Sequence, residues 1–239
     1  MSKKFLSAEW RKLILANYPV EKAILQPYLP ANTELDEWNG KLYVSLVGFM
    51  FLNTKVLGVN IPFHVNFPEV NLRFYVRVKE KNVWKRGVVF IKEIVPLPAI
   101  TFVANTFFNE RYATLPMKNY HLIDNNQLMV GYEWKQNHQW NKLGVVAEPF
   151  STLIEEGSRE EFITQHFWGY SSTRKKETVE YEVAHPKWES YPVINYNIDC
   201  DFEGLYGSSF GYLSEIQPDS VMLAEGSEIA VFNKRIIDL

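Results

Sequence analysis

The 239-residue sequence has a single cysteine, no hydrophobic run long enough to span a bilayer, and no surplus of one charge. The lone Cys200 excludes an internal disulfide and suits a reducing compartment. Its flanking aspartates, Asp199 and Asp201, raise rather than lower a thiol pKa, so it reads as a structural residue and not as a nucleophile. The apolar segments 42–52 and 94–108 are too short for a membrane span, and Pro96, Pro98 and Asn105 interrupt the second. The first residues, Met1 to Phe5, are basic but lead into Ala8, Glu9, Trp10, Arg11 and Lys12 rather than an apolar signal core. These absences point to a cytoplasmic protein with no membrane partner.

Charge excludes another class. With 25 basic and 28 acidic residues the formal charge is −3, and the longest basic run, Arg174-Lys175-Lys176, ends at Glu177. No nucleic-acid partner is expected. Metal ligation lacks a pattern too: His64, His121, His138, His166 and His185 show no paired ligand spacing, so no metal is expected. GSSFG at 207–211 spells Gly-x-Ser-x-Gly, but GLYGSSFG at 204–211 has neither the spacing of a phosphate site nor a strand–loop–helix frame. Hydrolase and nucleotide readings fall away, and no cofactor is expected.

What is present is core material: 46% apolar residues and 15% aromatic, enough for one domain over residues 1–239 without staples. Trp10, Leu13, Ile14 and Leu15 begin an apolar segment that meets Pro19, read as a first helix, with a second over 20–28 closed by Pro27 and Pro30. Residues 43–52 are apolar on both alternating faces, the pattern of a strand covered on both sides, and Gly48 within it marks a bend or a close approach by a neighbour. Residues 69–79 alternate cleanly. Val70, Leu72, Phe74, Val76 and Val78 point one way; Glu69, Asn71, Arg73, Tyr75, Arg77 and Lys79 point the other, toward solvent or toward a polar lumen.

A strand over 83–95 follows, then a helix from Pro98 to about 109, and a hairpin of 128–135 with 142–148. Ser158 and Glu161 form a capping box for a short helix. Strands are expected at 178–184 and 191–200, with two more near 220–225 and 228–236 pairing around Gly226. About ten strands with three or four short helices argue an α+β fold on a mainly antiparallel, closed sheet.

Residues 105–122 carry the concentrated chemistry: a helix end, an exit at Pro116, then Lys118, Tyr120 and His121. Several blocks across the chain resemble the YqjF-like family of unknown function, grouped with proteins similar to acetoacetate decarboxylase: FLSAEWRK (5–12), YVSLVGFMFL (43–52), NFPEVNLRFYVR (66–77), RGVVFI (86–91), LPMK (115–118) and HFWGY (166–170). The resemblance implies a cone-like antiparallel β-barrel with peripheral helices and a pocket inside.

In the decarboxylase pattern a Pro-Lys-Lys segment supplies a Schiff-base lysine and a second lysine that keeps it neutral, because only an unprotonated amine attacks a carbonyl. Here the segment is Pro116-Met117-Lys118, with Met117 in the nucleophile's place, so decarboxylation does not carry over. The resemblance makes Glu69 the counterpart of an active-site glutamate. Candidate catalytic residues are Lys118 and Glu69; candidate ligand-binding residues are Arg73, Asn71, Tyr120, His121 and Met117. Lys118 acts only if buried, with Tyr120, His121 or Glu69 handling protons; otherwise it is an exposed lysine after a proline turn. Arg73 either grips a carboxylate or pairs with Glu69.

The expected function is a pocket for a small organic acid or carbonyl compound, lyase-like if catalytic. A non-catalytic binding or sensing module and a structural, oligomer-forming protein are the alternatives, and a homo-oligomer is the partner each allows.

Overall fold

The computed structural model describes residues 3–237; Met1 and Ser2, the start of the basic N-terminal segment, lie outside them. The chain opens with β1 (Lys4–Pro19), α1 (Lys22–Leu25) and β2 (Glu34–Leu35), then runs through the long strands β3 (Tyr43–Val56), β4 (Phe67–Glu80) and β5 (Val83–Val95). Helix α2 (Pro98–Val103) passes into a π-helical turn, Ala104–Phe108, that ends at the left-handed Asn109. Next come β6 (Tyr112–Thr114), β7 (Met117–Asp124), β8 (Gln127–Gln136), β9 (Gln139–Ala147) and β10 (Thr152–Leu153). Helix α3 (Arg159–Thr164) precedes β11 (Trp168–Ser172), β12 (Thr178–Ala184), β13 (Glu189–Tyr191) and β14 (Val193–Asp199). Helix α4 (Phe202–Tyr206), a 3₁₀ turn over Ser208–Ser214, β15 (Ser220–Phe232) and β16 (Arg235–Ile237) complete it. Among the described residues no helix is long and apolar enough to cross a membrane.

The fold is mostly strand, with few and short helices, and its pairing is dominantly antiparallel. In the larger sheet β15, β1, β3, β4, β5, β11 and β12 are successive neighbours, and β12 pairs β15 again through Val183↔Val231 and Ala184↔Ala230. The pairings therefore return on themselves in a ring. Strands β5 and β11, and β5 and β6, are the parallel exceptions. A four-stranded sheet, β14-β9-β8-β7, stacks on one face of the larger sheet.

Two cores result. Val70, Leu72, Phe74, Val76 and Val78 of β4 pack with Val130, Tyr132, Trp134 and Leu143 of the smaller sheet. The opposite face carries a second core from six ring strands, including Leu13, Val47, Phe49, Tyr75, Val88, Tyr181 and Met222. Gly48 is the contact point between the sheets: a Cβ there would lie 2.6 Å from Tyr132 Cδ2.

Two expectations need correction. The segment from Trp10 is strand, because β1 is sandwiched between β3 and β15 and buried from Leu13 to Tyr18, and a strand covered on both faces reads as an apolar run that mimics helical spacing. Residues 220–232 form one strand rather than a hairpin. Gly226, at φ 81°, opposes Arg11 within the ladder, and a Cβ there would sit 2.0 Å from the Trp10 carbonyl oxygen. Such a left-handed glycine kinks a strand without ending it. The expected capping box is present, with the Glu161 amide donating to Ser158 Oγ at 3.1 Å.

Candidate functional site

The alternation of β4 sets Phe67, Glu69, Asn71, Arg73 and Tyr75 on the face away from the smaller sheet. That face is not wet: Glu69 is 2% exposed, Asn71 1% and Arg73 8%. These side chains line a cavity of about 210 Å³ that also receives Glu93 from β5, Glu110 from the segment after the π-helical turn, Tyr112 from β6, Tyr181 from β12 and His166 from the loop before β11. The parallel pairing of β6 with β5 sets Tyr112 opposite Glu93, while Asn71 opposes Glu93 from the other side.

Burial governs the chemistry, since taking a carboxylate out of water favours its neutral form. Burial pushes Glu69 up to about 7, although Asn71 Nδ2 donates to its Oε1 at 3.0 Å, the Tyr112 hydroxyl donates to its Oε2 at 2.9 Å, and the Arg73 charge also favours ionisation. Burial pushes Glu110 up to about 8 against the influence of Tyr181 and Arg111, with the Glu69 charge adding to the rise. Glu93 is raised well above the carboxylate range by burial and by repulsion from Glu110 and Glu69. Of the three, Glu69 has the hydrogen-bond donors of an ionised carboxylate; Glu93 and Glu110 are the proton carriers.

His166 adds an acceptor. Burial lowers it to about 4, so the ring is neutral at pH 7, with its Nε2 3.2 Å from Asp36 Oδ2. Asp36, which the hydrogen bonds of His166 and Arg86 hold below its ordinary value despite its burial, is ionised and can only accept. The imidazole proton is therefore on Nε2, and Nδ1 is a bare lone pair.

Seven buried polar atoms on residues lining the cavity have no hydrogen-bond partner: Trp10 Nε1, Thr54 Oγ1, Asn71 Oδ1, Arg73 Nε, Glu93 Oε2, Glu110 Oε1 and His166 Nδ1. Arg73 makes no salt bridge among the described residues, and its guanidinium lies 5.8 Å from the Tyr75 ring centre. A buried polar group without a partner costs about 1–3 kcal/mol, so a cluster of them around one space marks that space as built to receive polar atoms. Among the described residues no group of His, Cys, Asp and Glu has the arrangement of a metal site.

The structure divides the sequence-derived candidates. Glu69, Asn71 and Arg73 share the cavity; Met117, Lys118, Tyr120 and His121 do not line it. Those four belong to β7, an edge strand of the smaller sheet, where Lys118 is exposed with its Nζ 4.4 Å from the Trp140 ring centre. No lysine lines the cavity among the described residues. Glu93, Glu110, Tyr112, His166 and Tyr181 were not singled out from the sequence. Glu110 and Tyr112 fall within the 105–122 stretch, and Glu93 left a trace as a carboxylate inside the apolar run of β5.

The sequence matches the DUF2071 family, described as an uncharacterised conserved protein, over residues 7–228. It is 28% identical to the uncharacterised protein YqjF of Bacillus subtilis (strain 168) over 183 residues, 75% of this chain and 72% of that one. Among solved structures, acetoacetate decarboxylase from Legionella pneumophila superposes with a TM-score of 0.64 at 10% identity, covering 98% of this chain and 87% of the decarboxylase. An acetoacetate decarboxylase-like enzyme from Sphingomonas wittichii RW1 gives 0.67 at 8% identity, covering 99% and 94%. The enduracididine biosynthesis enzyme MppR, solved with pyruvate, gives 0.67 at 9% identity, covering 100% and 91%. Such low identities establish the fold and nothing finer. The chain belongs to the DUF2071 family and carries an acetoacetate decarboxylase-like fold.

Proposed function

We propose that the cavity binds a small organic acid or carbonyl compound and that the chemistry available there is proton transfer without an imine. The observation that carries this reading is the set of unpartnered buried polar atoms around one cavity, those of Asn71, Arg73, Glu93, Glu110 and His166 above all. Arg73 supplies the positive charge for a carboxylate, protonated Glu93 and Glu110 supply donors for a carbonyl oxygen, and Glu69 is the carboxyl best suited to accept a proton near neutral pH. Two carboxyl groups whose environments separate their pKa values can divide the roles of base and acid. The pyruvate in MppR is an organic acid with a carbonyl group, which is consistent with this ligand class. The single cysteine fits a reducing, cytoplasmic setting.

A non-catalytic binding or sensing module is the second reading, favoured by the absence of a lysine from the lining among the described residues. Lys118 has no part in either.

The test is a carboxylate and ketone screen by thermal shift, since a ligand of the native state raises the melting temperature by mass action, followed by Arg73→Ala and the bulkier Arg73→Met. Loss of a charge-assisted bond of about 1.5–3 kcal/mol predicts a roughly ten-fold to hundred-fold weaker carboxylate affinity. Equal binding by the wild type and a folded variant would overturn the reading.

A further inference from the structure

The cavity has two chemically different ends, and their order along β4 bears on the ligand. Reading along one face of the strand, Phe67 comes first, then Glu69, Asn71 and Arg73. Across the ladder Phe51 opposes Phe67 and Phe49 opposes Glu69, while Glu93 opposes Asn71. At about 3.4 Å of rise per residue, Glu69 lies roughly 7 Å and Asn71 roughly 14 Å along the strand from Phe67. The apolar end is an aromatic wall. Phe51 stacks on Phe67 at 4.7 Å between ring centres, 19° from parallel, and Trp10 meets Phe49 at 5.4 Å, Phe51 at 5.9 Å and Trp188 at 6.4 Å. All five rings line the cavity. Of the seven unpartnered polar atoms on lining residues, five are on Asn71, Arg73, Glu93, Glu110 and His166; the other two are Trp10 Nε1 and Thr54 Oγ1.

We infer that the ligand is an acid or ketone bearing a single aromatic ring, with the ring against the Trp10–Phe49–Phe51–Phe67–Trp188 wall and the carboxylate or carbonyl among Arg73, Asn71 and Glu93. This rests on the proposed function and narrows it. A short keto acid satisfies the polar end but leaves the wall facing nothing, and apolar surface without contact forfeits both dispersion and the hydrophobic gain. The volume agrees: a cavity of about 150 Å³ lined by apolar side chains accepts benzene, and about 210 Å³ leaves room for a short polar chain beside the ring. Aromatic walls of this kind hold rings by stacked or edge-to-face contact, arrangements that Phe51 and Phe67, and Trp10 with Phe49 and Phe51, already make with one another.

Calorimetric titration of the full chain with phenylpyruvate and with pyruvate tests the inference, with Phe51→Leu as a variant that removes the ring while keeping an apolar side chain. Phenylpyruvate is expected to bind at least ten-fold more tightly than pyruvate, and Phe51→Leu to weaken phenylpyruvate several-fold while leaving pyruvate unchanged. Pyruvate binding as tightly as phenylpyruvate overturns the aryl assignment and leaves the organic-acid reading intact. Equal weakening of both ligands in the variant, at an unchanged ligand-free melting temperature, overturns the placement of the ring. Failure of both acids, and of every compound in the broader carboxylate and ketone screen, overturns the proposed function and this inference together.

Discussion

Asp36 Oδ2 lies 3.2 Å from His166 Nε2, and that contact determines which atom of the imidazole the cavity meets. Because ionised Asp36 accepts from Arg86 Nε at 2.6 Å as well, it cannot serve as a donor, and His166 Nδ1 stays unprotonated. Nitrogen chemical shifts of labelled His166 at pH 7 are expected to report a neutral ring with the proton on Nε2. Asp36→Asn weakens the hydrogen bonds to Arg86 and His166 and is expected to destabilise the fold by about 1–3 kcal/mol, with the tautomer no longer fixed. A proton found on Nδ1 in the wild type would contradict the arrangement.

Imine chemistry has a separate test. Lys118 is exposed on β7 against Trp140, and no described lysine lines the cavity. Incubation with a β-keto acid and borohydride is therefore expected to trap no stoichiometric adduct. A trapped adduct mapped by peptide mass to Lys118 would show that the lysine works from outside the Glu69–Arg73 cavity, and the proton-transfer reading would have to be abandoned.

Local pattern made β4 legible: its strict alternation announced that Val70, Leu72, Phe74, Val76 and Val78 share a core and that Glu69, Asn71 and Arg73 share the opposite face, as the structure shows. It left open whether that face met water, which depends on ring strands distant in sequence. Glu93 and Glu110 were hidden for the same reason. One sits in an apolar strand and the other beyond a π-helical turn, and they become neighbours only when β6 pairs alongside β5. Lys118 drew notice by its place after Pro116, yet Lys135 donates its amide to the Pro116 carbonyl at 2.9 Å and the chain continues into the smaller sheet, away from the cavity. For β1, tertiary pairing on both sides overrode a spacing that fits a helix equally well.

Gly48 joins the two sheets, and its substitution measures how tightly they are packed. An alanine Cβ would lie 2.6 Å from Tyr132 Cδ2 and 3.2 Å from Leu143 Cδ2. Tyr132 cannot retreat freely, since its hydroxyl donates to the Lys12 carbonyl at 2.8 Å. Overpacking of this kind is expected to cost about 1–3 kcal/mol, read as a lower urea midpoint at unchanged m-value. The double variant Gly48→Ala/Tyr132→Leu should cost less than the sum of its two single changes, because the clash is removed. Strict additivity would show that Gly48 is not constrained by Tyr132.

The pH dependence of stability follows from the buried carboxyls. Glu69 and Glu110 are displaced from an ordinary 4.5 to about 7 and about 8, and Glu93 is displaced in the same direction. A group whose folded value lies above its unfolded one contributes stability that is fully present below the unfolded value and is lost as pH rises through the folded one. Each carboxyl accordingly lowers stability by roughly 1.4 kcal/mol per pH unit within its own window. His166 acts the other way. Displaced from 6.5 to about 4, it lowers stability as pH falls between those values. Below about 6.5 His166, with His121 and His185 lowered in the same direction, offsets part of the carboxyl slope, so the ligand-free protein is expected to lose stability most clearly from about pH 6.5 to pH 8. Glu110→Gln keeps the shape and removes the titration, and urea unfolding of this variant across that range should show a slope shallower by roughly 1.4 kcal/mol per pH unit. Parallel curves for the wild type and the variant would mean that Glu110 is ionised in the folded protein and cannot be the proton carrier assigned to it.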